Sequence, residues 1–330
     1  MLEINSKNIR FLSRMGAQGV LGQVVYENAC DDADFFALSA DLGIPSGFER
    51  IMKQFPDKFL DIGIAEANML SVAAGIADEK TPAIATSWSP FATYRCADQM
   101  RVFMGCMRKN IKVIGMGSGL HTPYLGSSHY GVGDVAVAMS IPGIDVIAPA
   151  DGLEIYAALN AALKNDRPTY IRLTGGDTLP MIYKEDFRFE IGKANLIKQG
   201  SDVLIVGCGY ILSETIKAAE ILEKNGISCT VADMHTIKPI DTEFLKTASD
   251  YRLTVTVEEH SVFGGLGSAV LKALSELNIQ KPFCSLGIDD FFPTVGSYSY
   301  LLKQCGLDSE SIADRIMKKL EKINNNNSVN

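Results

Sequence analysis

The sequence is poor in histidine and tryptophan and has no paired cysteines. It also has no apolar run long enough to span a membrane. Its 330 residues include one tryptophan and four histidines. There is no HExxH or clustered Cys/His pattern, so we expect no metal site within this chain. The seven cysteines are scattered and form no CxxC pair, which favours reduced thiols and a cytoplasmic location. No apolar run reaches the length of a membrane span, and the first residues lack the apolar core of a secretory signal.

Positive charge is also in short supply. The sequence has 31 Lys and Arg against 39 Asp and Glu, for a net charge of -8. Because no basic stripe is present, we expect no nucleic-acid partner. The hydrophobic content of 47% is enough for a packed core and for more than one domain.

The sequence does contain short apolar runs that alternate with segments of helical period. In the first half, the predicted strands are residues 34–39, 59–64, 82–87, 111–116, 145–148 and 169–173. Between two of them, Ala65, Met69 and Ile76 share one face at helical spacing. This alternation predicts an α/β fold, with a parallel sheet covered by helices on both faces.

A polar, aromatic stretch at residues 179–192 interrupts the pattern and is interpreted as a linker. A second α/β series follows it. Its predicted strands are 202–206, 228–232, 253–257 and 283–287, and its predicted helices are 212–224, 242–248, 265–277 and 309–323. We therefore divide the chain into residues 1–185, residues 186–322 and a tail at 323–330 that we expect to be disordered.

Two candidate sites follow predicted strands in the first half. Glu66 opens a helix, where a carboxylate is ordinarily a cap that the helix dipole stabilises. Trp88, Phe91 and Tyr94 recur every three residues, which suits either a pocket for a flat ring or, more commonly, a core cluster at the start of a helix.

A third candidate is the loop GSSHYGVGD at residues 126–134. His129 is an acid/base candidate if this loop lies at the carboxyl end of a parallel strand. A histidine that is merely hydrogen-bonded within its loop is an equally good reading. No strand is followed by GxGxxG and a helix, so a Rossmann nucleotide site is not expected.

The order of these segments resembles the transketolase family. GIAEANM at 63–69, the aromatic segment at 87–101, His129, and then IPG at 141–143 and APAD at 148–151 are similar to its pyrimidine-binding domain. IKPID at 237–241 and VEEHSVFGGLGSA at 257–269 look like its C-terminal domain. The resemblance implies a thiamine-diphosphate pyrimidine-binding domain followed by a transketolase C-terminal-domain-like α/β sandwich.

The resemblance also implies roles for individual residues. Glu66 matches the glutamate that hydrogen-bonds a ring nitrogen of the aminopyrimidine and favours the tautomer that activates the cofactor. The family's aromatic residues around the aminopyrimidine match Trp88, Phe91 and Tyr94. His129 matches a catalytic histidine that faces the substrate hydroxyls, and Ser39 matches a serine of the substrate channel.

One family segment has no counterpart here. Transketolases bind the diphosphate through a metal held by a GDG…N segment, whereas Gly133 and Asp134 lack the second glycine and the asparagine. The resemblance therefore implies that a partner chain, corresponding to the N-terminal half, holds Mg²⁺ or Ca²⁺. We expect an α2β2 heterotetramer organised around a dimer of this chain.

Substrate recognition departs from the family pattern. Gln18 and Gly175 stand where two arginines usually grip a sugar phosphate, and Leu125 replaces the aspartate four residues before the loop histidine. Because a dianionic phosphate needs clustered cations, we expect a sugar other than the usual phosphopentoses in carbohydrate metabolism. Other residues able to supply the missing charge are His121, Arg95, Arg101 and Arg172.

The leading hypothesis is a subunit that transfers a two-carbon ketol unit from a ketose to an aldehyde, active only with its partner. The alternative is a pyruvate-dependent carboligase, similar to deoxyxylulose-phosphate synthase, or the β-type subunit of a 2-oxoacid dehydrogenase. A third reading is a non-catalytic scaffold, which has no need of Glu66 and the aromatic residues.

Overall fold

The computed structural model describes residues 2–176 and 178–327. Its strands are β1 Phe36–Ser39, β2 Phe59–Asp61, β3 Ala83–Trp88, β4 Ile111–Ser118, β5 Asp145–Ile147, β6 Thr169–Thr174, β7 Asn195–Lys198, β8 Val203–Gly207, β9 Cys229–Asp233, β10 Thr236–Lys238, β11 Leu253–Ser261 and β12 Phe283–Ile288. Its α-helices are α1 Ser6–Cys30, α2 Glu49–Gln54, α3 Glu66–Asp78, α4 Ser89–Thr93, α5 Ala97–Gln99, α6 Asp134–Met139, α7 Gly152–Leu163, α8 Leu212–Lys224, α9 Thr242–Leu245, α10 Leu266–Glu276, α11 Tyr298–Cys305 and α12 Ser309–Asn327. A π-helical segment, Met100–Cys106, follows α5.

The first sheet has seven strands in the order β10-β5-β6-β4-β3-β1-β2, parallel except for β10. Neighbouring residues of its central strand β4 enter different cores. Val113 packs in the cluster that contains Met69 of α3, and Ile114 packs in the cluster that contains Leu21 of α1. Both faces are therefore covered by helices, which is why the central strands are continuous apolar runs.

The second sheet has five strands in the order β12-β11-β8-β9-β7, parallel except for β7. Alternate residues of β8 again enter different cores. Leu204 belongs to the same cluster as Met69 of the first half, whereas Ile205 packs with Leu320 of α12. One apolar core therefore runs between the two sheets, and its burial holds the halves of the chain together.

The strand β10 crosses from the second half of the chain to complete the first sheet. It pairs antiparallel with β5, and the Lys238 amine donates to the backbone oxygens of Met139 and Ile141. Asp241 caps α9 by accepting from the Phe244 amide at 3.0 Å. The IKPID segment therefore joins the two halves through backbone pairing and a half-buried lysine.

The predicted α/β fold class is confirmed, and each predicted strand overlaps an observed one. The short edge strands β7 and β10 and the helices α1 and α11 were not predicted. Helix α1 begins with Asn5 as its cap and is interrupted at Gly16, whose φ of 69° breaks the helical path. The disordered tail is corrected in part, since α12 continues to Asn327; residues 328–330 lie outside the described residues.

Between β6 and β7, the described residues 175, 176 and 178–194 form neither helix nor strand, as the linker interpretation expects. Asp151 caps α7 by accepting from the Glu154 amide at 2.9 Å. Its second oxygen accepts from the amides of Ile182 and Tyr183, so the same carboxylate fastens the linker. Among the helices of the described residues, none combines the length and apolar character that crossing a membrane takes.

Candidate functional site

The first candidate residue, Glu66, is presented by a tight turn between β2 and α3. Gly63 in this turn has a φ of +73°, a left-handed conformation that glycine adopts without steric cost. The Asp61 carboxylate holds the turn by accepting from the Gly63 amide at 2.8 Å and the Asp41 amide at 3.0 Å. Glu66 is the first residue of α3 and is 4% exposed.

The Glu66 carboxylate has two side-chain partners. Arg95 Nη1 lies 3.0 Å from both of its oxygens, and the Ser87 hydroxyl donates to Oε1 at 3.3 Å. A hydrogen bond between two charged groups is stronger than one between neutral groups, and this one offsets part of the cost of burying a carboxylate. The pairing was not predicted, since the sequence interpretation connected Arg95 only with substrate charge.

An aromatic side chain forms the wall beside this carboxylate. The Arg95 guanidinium carbon lies 3.8 Å from the centroid of the Phe91 ring. The His129 ring meets Phe91 edge-on at 5.1 Å, and Ser128 Oγ lies 3.0 Å from His129 Nδ1. The structure thus brings together Glu66, Phe91 and His129, which come from three separate segments of the sequence.

These residues line a cleft of about 300 Å³, bordered by Ala40, Asp41, Leu42, Ile64, Glu66, Trp88, Phe91, Arg95 and His129. Most of them follow directly after the carboxyl ends of β1, β2 and β3. Ligands of parallel α/β sheets bind at this edge. The cleft offers one buried carboxylate and a flat aromatic wall, which suits a flat ring with a hydrogen-bonding edge.

Tyr94 is not brought together with Trp88 and Phe91. It is 58% exposed and borders a second cleft of about 560 Å³, together with Phe263 and Phe292. A side chain at Gly133 would collide with the Tyr94 hydroxyl, so this approach depends on a glycine. A spacing of three residues predicts a shared helix face, but Trp88 is the last residue of β3 and precedes α4, so the three side chains do not share one helix face.

The residues expected in the substrate channel are dispersed. Ser39 is fully buried, and its hydroxyl accepts from the Leu42 amide at 2.9 Å beneath the cleft. Gln18 lies in α1 and is absent from the described lining of the cleft. Leu125 is 41% exposed in the loop that carries His129.

His121 and Gly175 lie together at the junction with the second half of the chain. The His121 ring lies tilted against Tyr298, with ring centroids 4.1 Å apart, and meets Tyr210 edge-on at 4.5 Å. Gly175 lies against Tyr210. Burial, and after it the nearby Arg172, lower the pKa of the His121 imidazole to about 3. His121 is therefore neutral near pH 7 and supplies no positive charge.

Arg172 is also committed elsewhere. Its Nε donates to Asp134 at 3.0 Å, and its Nη2 donates to the backbone oxygens of Gly131 and Glu259 at 2.8 and 2.7 Å. Tyr170 donates its hydroxyl to the same Asp134 carboxylate at 2.6 Å. The Asp134 carboxylate is therefore hydrogen-bonded by two side chains of this chain.

The VEEHS segment at the end of β11 has a structural role. Glu258 accepts from the Leu266 and Gly267 amides at the start of α10, at 2.7 and 2.8 Å. Glu259 accepts from the Leu120 amide at 2.6 Å and the Tyr298 hydroxyl at 2.7 Å. Burial raises the pKa of Glu259 to about 7. These contacts fix the second half of the chain against the loop after β4.

Residues 2–176 and 178–327 contain no group of three or more His, Cys, Asp or Glu side chains arranged to hold a metal ion. Beside the cleft, the Cys96 thiol lies close to Glu66. Burial, and after it the Glu66 carboxylate, raise the pKa of this thiol to about 12, so it is protonated and a poor nucleophile near pH 7.

Comparison with known protein families identifies both halves of the chain. Residues 14–178 match the family model described as transketolase, pyrimidine binding domain. Residues 192–312 match the model described as transketolase, C-terminal domain. The segment between the two matches, 179–191, lies within the linker that the sequence predicted.

Three similar proteins are named as parts of transketolases. The putative transketolase C-terminal section of Methanocaldococcus jannaschii is 36% identical over 303 residues, covering 91% of this chain and 95% of that protein. The 6-deoxy-6-sulfo-D-fructose transketolase subunit of Clostridium sp. strain MSTE9 is 36% identical, covering 91% and 93%. An apulose-4-phosphate transketolase subunit of Phocaeicola vulgatus is 30% identical, covering 90% and 95%.

The chain is also similar to a solved structure and to a longer enzyme. A solved structure described as a split gene transketolase, inactive beta4 tetramer, superposes with a TM-score of 0.83 at 32% identity, covering 93% of this chain and 98% of that chain. The 1-deoxy-D-xylulose-5-phosphate synthase of Caldanaerobacter subterraneus is 31% identical over 305 residues. Those residues are 92% of this chain and 49% of that enzyme.

Proposed function

This chain belongs to the transketolase family, and from that premise we propose that it is the C-terminal subunit of a two-chain transketolase. The pair of chains transfers a two-carbon ketol unit from a ketose donor to an aldehyde acceptor. The observation that carries the proposal is that the buried Glu66 carboxylate and the Phe91 ring line the same cleft.

Membership of the family implies dependence on thiamine diphosphate, and the cleft fits the pyrimidine part of this cofactor. A flat, hydrogen-bond-donating group, the Arg95 guanidinium, already lies on Phe91 and donates to Glu66. This contact supports the proposal, because it shows that a flat hydrogen-bonding group can lie on Phe91 and reach Glu66. When bound, thiamine diphosphate supplies the nucleophilic carbon that breaks and makes carbon–carbon bonds.

In this proposal, the chain's own residues bind and orient the cofactor and the substrate. Glu66 hydrogen-bonds a ring nitrogen and controls the proton at that atom. Phe91 and Trp88 flank the ring and exclude water from it. Tyr94 reaches the site only from the neighbouring cleft, so we assign it the weakest part in cofactor binding.

His129 is the proposed acid/base group for substrate hydroxyls. It stands at the open side of the cleft, against Phe91, with the Ser128 hydroxyl beside one ring nitrogen. Ser39 is proposed to shape the channel floor through its neighbour Ala40. Gln18, His121, Leu125 and Gly175 remain proposals for the substrate channel, and none of the four is in the described lining of the cleft.

The partner chain is proposed to be an N-terminal transketolase subunit that supplies the diphosphate-binding wall with Mg²⁺ or Ca²⁺. The support is that relatives named as sections or subunits are covered over 95% and 93% of their length. We further propose an α2β2 heterotetramer around a dimer of this chain, acting in the cytoplasm.

The donor is proposed to be a sugar other than a standard phosphopentose. Within the described lining of the cleft, the positive side chain is Arg95, and it is paired with Glu66. His121 is neutral near pH 7 and Arg172 is bound to Asp134. This chain therefore offers little to a dianionic phosphate. A relative named for a sulfonated fructose supports an unusual donor.

A second candidate function is a pyruvate-dependent carboligase. It is favoured by the likeness to 1-deoxy-D-xylulose-5-phosphate synthase over 92% of this chain. The β-type subunit of a 2-oxoacid dehydrogenase belongs to the same alternative. These activities share the cofactor and the Glu66 site with ketol transfer, and differ in the donor.

The test is calorimetric titration of thiamine diphosphate with Mg²⁺ into this chain alone and into the chain co-purified with its candidate N-terminal partner. We expect tight binding by the pair and at most weak binding, through the pyrimidine ring, by this chain alone. Tight binding by the single chain would contradict the split site. The pair is then assayed with xylulose 5-phosphate, unphosphorylated and sulfonated ketoses, and pyruvate. A strong preference for xylulose 5-phosphate would contradict the donor proposal, and turnover of pyruvate alone would favour the carboligase.

A further inference from the structure

The cleft contains a contact within the chain that has no place in the reaction described above. Arg95 holds the two groups that the aminopyrimidine is proposed to use. Its guanidinium lies on the face of Phe91, at 3.8 Å from the ring centroid. Its Nη1 lies 3.0 Å from both oxygens of Glu66.

The cofactor ring and the Arg95 guanidinium have the same recognition chemistry at this point. Both are flat, both stack on an aromatic face, and both hydrogen-bond a carboxyl group, the guanidinium by donating and the ring nitrogen by sharing the proton of the acid. Glu66 is buried on the remaining sides, with Ser87 at 3.3 Å as its other side-chain partner. The carboxylate therefore has one open side, which cannot serve Arg95 and a ring at once.

From this we propose that Arg95 occupies the pyrimidine position in the unloaded subunit and so sets the affinity for thiamine diphosphate. The proposal rests on the proposed function, because it takes Glu66 and Phe91 as the pyrimidine site. Arg95 stays paired until the ring displaces it. The apparent dissociation constant then equals the intrinsic one divided by the fraction of molecules whose cleft is open.

The contact is suited to exchange. The Arg95 side chain is 48% exposed, so its guanidinium can turn into solvent and be hydrated there. Phe91 and Glu66 belong to α4 and α3, which both pack on β3, and neither helix has to move for the side chain to leave. When a neutral ring replaces the guanidinium, Glu66 takes up one proton and hydrogen-bonds the ring nitrogen as a carboxylic acid, so that no uncompensated charge is left buried.

Replacing Arg95 tests this directly. Thiamine diphosphate with Mg²⁺ is titrated calorimetrically into the two-chain enzyme carrying Arg95→Ala, Arg95→Lys or no substitution. Removal of a competing contact of about 1.4 kcal/mol changes an equilibrium tenfold, so we expect Arg95→Ala to bind about tenfold more tightly. Arg95→Lys keeps the charge but loses the flat fork, so its affinity is expected to lie between the two.

The matched control is Arg188→Ala. Arg188 pairs with Glu190 on the surface of the linker, away from the cleft, so its loss is expected to leave the affinity unchanged. Circular dichroism and thermal melting of each variant check folding. Equal affinities of wild type and Arg95→Ala, or weaker binding by Arg95→Ala, would overturn the proposal.

Salt dependence provides a second readout in this chain alone. Trp88 is the single tryptophan and lines the cleft, so its fluorescence reports on the site. The probe is the cofactor's neutral fragment, 4-amino-5-hydroxymethyl-2-methylpyrimidine. Because salt screens a half-exposed ion pair, the fragment is expected to bind wild type more tightly as salt rises and to bind Arg95→Ala equally at all salt concentrations. Parallel salt responses in both would contradict the proposal.

Failure of this inference is distinguishable from failure of the proposed function. If the two-chain enzyme binds no thiamine diphosphate, or if Glu66→Ala binds it as wild type does, the proposed site itself is wrong. A different result is that wild type binds thiamine diphosphate, Glu66→Ala does not, and Arg95→Ala has the same affinity as wild type. That result would support the proposed site and contradict only the role of Arg95.

Discussion

Two arginine–carboxylate pairs in the first half of the chain have similar bond lengths and opposite surroundings. Arg95 meets Glu66 at 3.0 Å, and Arg172 meets Asp134 at 3.0 Å. The Arg95 side chain is 48% exposed, whereas that of Arg172 is 3% exposed. Arg172 also donates to Thr174 and to two backbone oxygens.

The difference in burial distinguishes an arginine that a ligand can displace from an arginine that stabilises the fold. An arginine whose three nitrogens all donate inside the protein cannot turn into solvent without leaving several groups unpaired, which costs several kcal/mol. A half-exposed arginine can turn into solvent once a ligand hydrogen-bonds the buried carboxylate that it leaves. Bond length does not distinguish the two pairs. Their burial and the other hydrogen-bond partners of each arginine do.

The largest expected effect is on the buried pair. Arg172→Met leaves the Asp134 carboxylate buried without its cation, so we expect the free energy of unfolding to fall by about 3–5 kcal/mol. Urea denaturation followed by circular dichroism measures it. The double variant Arg172→Met with Asp134→Asn removes both charges and is expected to recover part of the loss. A loss below about 1 kcal/mol in the single variant, the size typical of an exposed pair, would remove the distinction between the two pairs.

The next effect is on activity at the Arg95–Glu66 pair. Glu66→Gln removes the proposed proton-controlling carboxylate, and loss of such a group lowers the rate by about a hundredfold or more. Steady-state kinetics of the two-chain enzyme measures it, with thermal melting expected to be nearly unchanged. Glu276→Gln, which alters a surface pair with Lys272, is the control. Near-normal turnover in Glu66→Gln would contradict the assignment.

A third set of buried carboxyl groups has no arginine partner among its described contacts. It can be compared with the two arginine–carboxylate pairs through the pH dependence of stability. Glu154 and Asp233 are both buried, and Tyr183 Oη donates to Asp233 at 2.8 Å. Burial raises the pKa of Asp233 to about 7 and raises that of Glu154 well above its ordinary value. The native pair therefore retains a proton that the unfolded chain releases near about pH 4.

The stability that this pair contributes is complete below about pH 4 and is lost as pH rises towards about 7. We expect Asp233→Asn to remove up to about 1.4 kcal/mol per pH unit of this slope. Urea titrations of wild type and variant at pH 5, 6 and 7 measure it. Identical slopes would show that Asp233 itself retains no proton in the native state. Asp186→Asn, at an exposed carboxylate of the linker, is the control.

The smallest effect is expected at the edge of the cleft. His129→Ala removes the proposed acid/base group but leaves Glu66 and Phe91 in place, so turnover is expected to fall about tenfold or more while cofactor affinity changes by less than about twofold. Kinetics and calorimetry on the same preparation measure the two quantities. Loss of cofactor binding would instead assign His129 to the cofactor site.

The fold was largely predictable because its signals are local. Continuous apolar runs identify strands buried on both faces, and helical periodicity placed Leu212–Lys224 with the observed bounds. The edge strands β7 and β10, with the sequences NLIK and TIK, begin and end with polar residues and contain no continuous apolar run to identify them. Helix α1 was missed although Asn5 caps it, and the glycine that interrupts it at residue 16 weakens the helical pattern.

The sequence was enough to predict which residues form the candidate site. It was not enough to predict which of them hydrogen-bond one another. Glu66 follows a strand and opens a helix, which identifies it locally. The spacing of four residues between Phe91 and Arg95 was an available signal for a cation over a ring. The bond from Arg95 to Glu66 spans 29 residues of sequence, and no local pattern reports it.

By itself, the sequence determined the order of strands and helices, the position of Glu66 at a helix start, and the family to which these segments belong. Only the tertiary structure decided that Arg95 faces Glu66, that Tyr94 faces a different cleft, and that β10 joins the first sheet. Periodicity and capping act over one or two turns of chain. Strand order and the packing of one helix against another bring together residues that no local rule connects.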